Sequence, residues 1–229
     1  MKIGIGIFCL FTLCSLRGWA QSSAPFTMTH IEYPYIEDYT ALFEEIYIEL
    51  GFELTIIPTP SIRGLILLDK GKVDADVIRI ANTAKNYPNL IIVQPPLYNA
   101  ALTLFCVKEV PCNKEVLTNN HTTIIAADNT ISLLDPTEFK ARQANFQLGT
   151  NIPEMLKAHR HNYALLVLDN LMESQFNSDF QMFKIKSIPV NHVIHKKHLA
   201  LLEQLQQKIH TKLPQVLHKR ASKIKTLMQ

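Results

Sequence analysis

The sequence predicts an α/β fold of two similar lobes, each built on a mixed, mainly parallel sheet and closing like a clamshell. Three observations carry this expectation. Short apolar runs alternate with amphipathic ones as far as Ile80, a second alternation of the same kind runs from Thr122 to Leu168, and one long amphipathic segment closes the chain. Each half alone is small for a domain, whereas the 229 residues together can bury a sizeable core.

Taken in order, Phe26–Ile31 reads as a first strand, followed by the loop Glu32-Tyr33-Pro34-Tyr35. Tyr39–Leu50 reads as a helix with Leu42, Phe43 and Ile46 inward and Glu44, Glu45 and Glu49 outward; Gly51 stands where a terminating glycine belongs. Phe52–Pro58 is a second strand, Ser61 caps a helix through Leu68, and Lys70-Gly71-Lys72 turns the chain into a third strand, Val73–Ile80. Leu90–Val93 and Ala101–Lys108 are extended. The second half gives a strand at Thr122–Ala127, a helix at Thr137–Ala144, and a short strand at Phe146–Leu148. A helix at Ile152–Ala158, a buried strand at Tyr163–Leu168 and an extended run at Phe180–Ile188 follow. Leu199, Leu202, Leu205, Ile209 and Leu213 mark one face of a final helix that Pro214 interrupts, and Lys219, Arg220, Lys223 and Lys225 form a solvated basic face beyond it.

Met1-Lys2, the apolar stretch Ile3–Leu16 and the small residue Ala20 have the layout of a secretory signal peptide, so the expected location is the periplasm. Removing those 20 residues from the 229 leaves 209, and takes the basic residues from 23 to 21 against 20 acidic ones. A near-neutral chain gives nucleic acid no electrostatic foothold. Cys106 and Cys112 remain, six apart; in an exported chain they form either a small-loop disulfide or two free thiols.

The order of several motifs resembles the bacterial extracellular solute-binding proteins of family 3, the amino-acid-binding type associated with ABC transporters. The residues that carry it are Tyr33-Pro34-Tyr35, Leu50-Gly51-Phe52, Ser61-Ile62-Arg63-Gly64-Leu65, the run Lys70–Asp76, Ile78-Arg79-Ile80, Tyr87-Pro88-Asn89-Leu90, Pro95-Pro96-Leu97-Tyr98 and Asn162–Asp169. The resemblance implies a type II clamshell, with lobe 1 at 21–104 joined by 193–229 and lobe 2 at 105–192. This sequence lacks the threonine-x-glutamate-arginine segment that follows the third strand in the amino-acid receptors. It also has Ala126-Ala127-Asp128-Asn129-Thr130 in place of a glycine-rich turn.

Each candidate site residue has two readings. Arg79 sits in the apolar run Val77–Ile80, where its guanidinium serves either a ligand carboxylate or an ion pair with Asp76 or Asp74. Arg63 opens a helix whose free N–H groups favour anions, or covers the surface there. Asp76 belongs to the same candidate set. The resemblance implies that Tyr33 and Tyr35 pack on the apolar part of a ligand, and that Asp169 pairs with a ligand ammonium; core packing and helix capping are the alternatives. Asp128 and Thr130 stand at a strand-to-helix turn that holds an anion or is simply a turn. The histidines at 159, 161, 192, 195 and 198 read as solvated rather than as zinc ligands.

No nucleophile–base pair, phosphate loop or metal motif stands out, so the expectation is a monomeric binding protein without cofactors. It would close over a small anionic or zwitterionic solute, an amino acid or related carboxylate, and be read by an inner-membrane permease or sensor. The alternatives are an interaction module with a degenerate cleft, or a small-acid dehydratase-like enzyme using Glu32 or Asp76 as general acid.

Overall fold

The computed structural model describes residues 25–127, 130–146, 152–176 and 179–227. The expected signal peptide and Asp128 lie outside these. The first half runs β1 (Phe26–His30), α1 (Glu37–Glu49), β2 (Leu54–Pro58), α2 (Ser61–Asp69), β3 (Ala75–Ile80), α3 (Ala81–Ala84), β4 (Leu90–Ile92) and β5 (Tyr98–Cys106). The second runs α4 (Glu115–Thr118), β6 (Thr123–Ala127), β7 (Arg142–Phe146), α5 (Ile152–Lys157), β8 (Tyr163–Leu168), α6 (Asn170–Phe176), β9 (Gln181–His195) and α7 (Leu202–Leu227).

Among the described residues the strands form one sheet in the order β2-β1-β3-β9-β5-β8-β6-β7, with β4 also on β9. Pairing is parallel within β2-β1-β3 and within β8-β6-β7, and antiparallel wherever β9 or β5 takes part. The two parallel groups are therefore the sheets of the two lobes, and the long strands β5 and β9 join them.

The helix ends follow from glycine. At the end of α1 the Gly51 amide donates to the Ile48 carbonyl and the Phe52 amide to the Tyr47 carbonyl, with Gly51 at φ +85°. Gly71, at φ +64°, closes α2 the same way through Gly71 to Leu68 and Lys72 to Leu67. The first core gathers Phe26 and Met28 of β1, Phe43, Ile46 and Tyr47 of α1, and Leu205, Ile209 and Leu213 of α7. In the other lobe β5 alternates, as a strand covered on both faces must. Leu102, Leu104 and Cys106 enter one core, and Phe105 enters the opposite one.

Several expectations need correction. No helix forms over Thr137–Ala144. Asp135 Oδ1 accepts hydrogen bonds from both the amide and the hydroxyl of Thr137, which fixes a turn; the chain then enters β7, in register with β6 from Thr123–Arg142 to Ala127–Phe146. Pro214 does not interrupt α7, which runs 26 residues through it. Pro60, not Ser61, holds the N-cap position of α2. The basic segment after Pro214 is not solvated throughout, because Arg220 is buried. The cysteine alternative resolves as a Cys106–Cys112 disulfide.

Candidate functional site

A cavity of about 140 Å³ opens where the two parallel groups meet the joining strands. Ile31 and Tyr33 beyond β1, Ser61 and Leu65 of α2, and Ile78, Arg79, Ile80 and Thr83 of β3–α3 form most of the wall. Tyr98 and Ala100 of β5 and Val190 of β9 form its back, and Val167 of β8 contributes from the second lobe. The lining is mostly apolar, and among the described residues Arg79 is its one charged member.

Arg79 reaches the wall through an irregularity in β3. Residues three apart in a regular strand point to opposite faces. Here Asp76 pairs with Val193 and Arg79 with Asn191, three residues against two, so β3 carries a bulge that brings the two side chains together. Arg79 Nη2 lies 2.6 Å from Asp76 Oδ2, which also accepts from Thr29 Oγ1 at 2.7 Å. Arg79 Nη1 donates to Ser61 Oγ at 2.9 Å, while its Nε–H is buried without a hydrogen-bond partner. Complete burial raises the Asp76 carboxyl above the usual carboxylate range, against the pull of Arg79 and Thr29. Gly64 makes room for this arrangement: a methyl group there would fall on the Arg79 guanidinium.

The other candidates are placed differently. The Tyr33 ring lines the cavity and its hydroxyl accepts the Asp169 amide at 3.1 Å; burial pushes the phenol well above its ordinary pKa. Tyr35 does not line it. That residue sits at φ +62°, its carbonyl accepts from Arg220 Nη1 at 3.0 Å, and its ring lies 5.5 Å from Lys223 Nζ. Arg63 is exposed on α2, away from the wall, and Thr130 is buried at a 3₁₀ turn where its carbonyl accepts the Leu133 amide. Asp169 Oδ1 caps α6 by accepting the Met172 amide at 2.8 Å, and Oδ2 pairs with Arg220 Nη2. His192 is buried beside Tyr47, and His198 pairs with Asp74.

Sequence reasoning missed Ser61 as a wall residue, and missed Tyr98, Gly64 and Arg220. The signal for Arg220 was present. It continues the buried face of α7 from Ile209, Leu213 and Val216 at helical spacing.

Solved structures share the architecture, three of them as follows. The GluR0 ligand-binding core in complex with L-glutamate superposes with a TM-score of 0.71 at 10% identity, over 91% of this chain and all of that one. The ancestral amino-acid-binding protein AncCDT-1, a precursor of cyclohexadienyl dehydratase, gives 0.66 at 14% identity, over 88% and 93%. The BvgS VFT2 domain of Bordetella pertussis gives 0.65 at 11% identity, over 84% and 91%. The chain is similar in fold to two-lobed periplasmic-binding-protein-like domains. Neither a family model nor a curated protein matches it. At these identities the likeness concerns the fold alone. Among the described residues no helix is long and apolar enough to cross a membrane, and no group of three or more His, Cys, Asp or Glu is placed to hold a metal.

Proposed function

We propose that this chain is a solute receptor that closes its two lobes over a small organic anion, for uptake or sensing through a membrane partner. The observation that carries the reading is the position of Arg79: among the described residues, the one charged group on the wall of a mostly apolar cavity lined by the first lobe, both joining strands and Val167 of β8. Closure would follow from differential contact. A ligand touching Ser61 and Arg79 on one side and Val167 on the other binds the closed form better than the open one, and that difference in affinity shifts the population.

The enzyme alternative needs an acid at the wall. Glu32 is exposed and does not line the cavity, and Asp76 sits behind Arg79, so this reading gains no support from the geometry.

A thermal-shift screen of the chain from Gln21 onward against organic acids, amino acids, short peptides and sugars tests the proposal. A ligand at 100 times its Kd stabilises by about 2.7 kcal/mol, which for this size raises Tm by about 5–10 °C. Arg79→Lys keeps a cation opposite Asp76 but loses the planar fork, and should cut the shift by more than half. A flat response across the screen, or an undiminished shift in Arg79→Lys, overturns the reading.

A further inference from the structure

The polar groups around the cavity are unequal. Donors gather at one corner. Ser61 Oγ accepts from Arg79 Nη1 and so keeps its own proton free to donate outward. Arg79, 4% exposed, is part of the wall, and its partnerless Nε–H is buried behind it. Ser61 is also the first residue of α2, a nine-residue helix without a side-chain cap. The amides of its first turn have no partners within the helix, and the positive end of its dipole faces the same corner.

What the described part of the wall lacks is a negative charge for a cation. No carboxylate lines the cavity among the described residues. Neither acid attached to a wall residue lies on the wall itself, although Asp76 Oδ1 is buried without a hydrogen-bond partner. Asp76 holds Arg79 and Thr29 through Oδ2. Asp169 holds Arg220 and the Met172 amide, and meets the cavity only through its own amide on Tyr33. An ammonium group entering this space would lose its water without gaining an anion. The rest of the wall is Ile31, Leu65, Ile78, Ile80, Ala100, Val167 and Val190, with two tyrosine rings and Thr83. Its volume of about 140 Å³ is close to that of apolar protein cavities, roughly 150 Å³, that hold a benzene molecule.

From this distribution we infer that the ligand is a monocarboxylate with a compact apolar body, about one ring in size, and no amino group. The inference rests on the receptor reading and narrows it. Asp76 already neutralises Arg79, so one further negative charge held by dipoles and hydrogen bonds suits the corner better than a dianion such as a phosphate.

Calorimetric titration of the chain from Gln21 onward with matched pairs decides the matter. The pairs are 3-phenylpropanoate against phenylalanine and 4-methylpentanoate against leucine, with 3-phenylpropanamide as the uncharged control. In at least one pair the acid without an amino group should bind 30-fold or more tighter than its amino acid, and the amide should bind no better than that amino acid. Ser61→Ala, which leaves the Arg79–Asp76 pair intact, should weaken the acid 5- to 20-fold while thermal unfolding without ligand stays within a few degrees of the parent. An amino acid that binds as tightly as its deaminated partner overturns the ligand class and leaves the receptor reading standing. A sugar hit in the broad screen with neither pair bound overturns the ligand class and, with it, the organic anion of the receptor reading. A flat response to both the pairs and the screen overturns the two together.

Discussion

His192 has a role that follows from burial alone. Its ring is fully buried, stacked on Phe43 at 3.9 Å between centroids, with Nε2 2.9 Å from Tyr47 Oη. Burial holds its pKa down from 6.5 to about 3. The unfolded chain therefore binds a proton between these values that the folded chain refuses. The neutral ring's contribution is complete above pH 6.5 and is lost progressively as pH falls towards 3, by up to about 5 kcal/mol. His192→Gln keeps a polar partner for Tyr47 but does not titrate. Denaturation midpoints followed from pH 7 to pH 4 should fall less steeply in this variant than in the parent, and parallel slopes would refute the account. At this scale the sequence was legible where a residue's type restricts it. Arg79 in an apolar strand and the capping role open to Asp169 were both visible. The bulge that brings Asp76 to Arg79 was not, because alternation predicts opposite faces for residues three apart and nothing in Val77-Ile78 signals the extra residue.

At the scale of elements, α2 and β3 act as one unit because Gly64 lets them approach. A Cβ at that position would fall on Arg79 Nη2 and lie 3.3 Å from Asp76 Oδ2. Gly64→Ala must therefore push the guanidinium or the helix aside. An alanine favours a helix by about 1 kcal/mol over glycine, but overpacking a buried contact costs about 1–3 kcal/mol. The expected result is a net loss of up to about 2 kcal/mol in chemical denaturation, with ligand affinity falling alongside it. A stabilised variant with unchanged binding would show that Arg79 is not held against α2. Elements whose pattern and end signals agree were readable: α1 and α2, each ended by a glycine at positive φ, and β8, whose six residues stand where the apolar run placed them. Thr137–Ala144 was misread because its composition suits a helix, whereas the Asp135 turn and the parallel pairing with β6 decide its conformation. The long α7 was misread in the opposite sense, since packing against α1 and α6 sustains a helix across Pro214.

Arg220 ties the whole molecule together. It sits near the end of α7 and pairs with Asp38 of α1 in the first lobe and with Asp169 at the end of β8 in the second. Its guanidinium lies 4.8 Å from the centre of the Tyr39 ring, which stacks on Tyr98 at the back of the cavity; Asp169 in turn donates its amide to Tyr33 on the cavity wall. The contact between lobes and the wall of the candidate site thus share the same residues, and movement of one lobe against the other must disturb both. Arg220→Met removes the charge, keeps much of the side chain's length, and leaves Asp38 and Asp169 facing each other's lobe without their common partner. Lys223 and Lys219 still serve Asp38, so Asp169 bears most of the loss. Breaking a buried pair from one side costs about 3–5 kcal/mol, whereas removing both charges costs much less. Scanning calorimetry should therefore show a large fall in Tm for Arg220→Met, and a good part of it restored in Arg220→Met with Asp169→Asn. If the lobes are cooperative mainly through this contact, the single transition of the parent will broaden or split in the Arg220 variant. A variant with unchanged Tm and one sharp transition would mean that β5 and β9 alone couple the lobes.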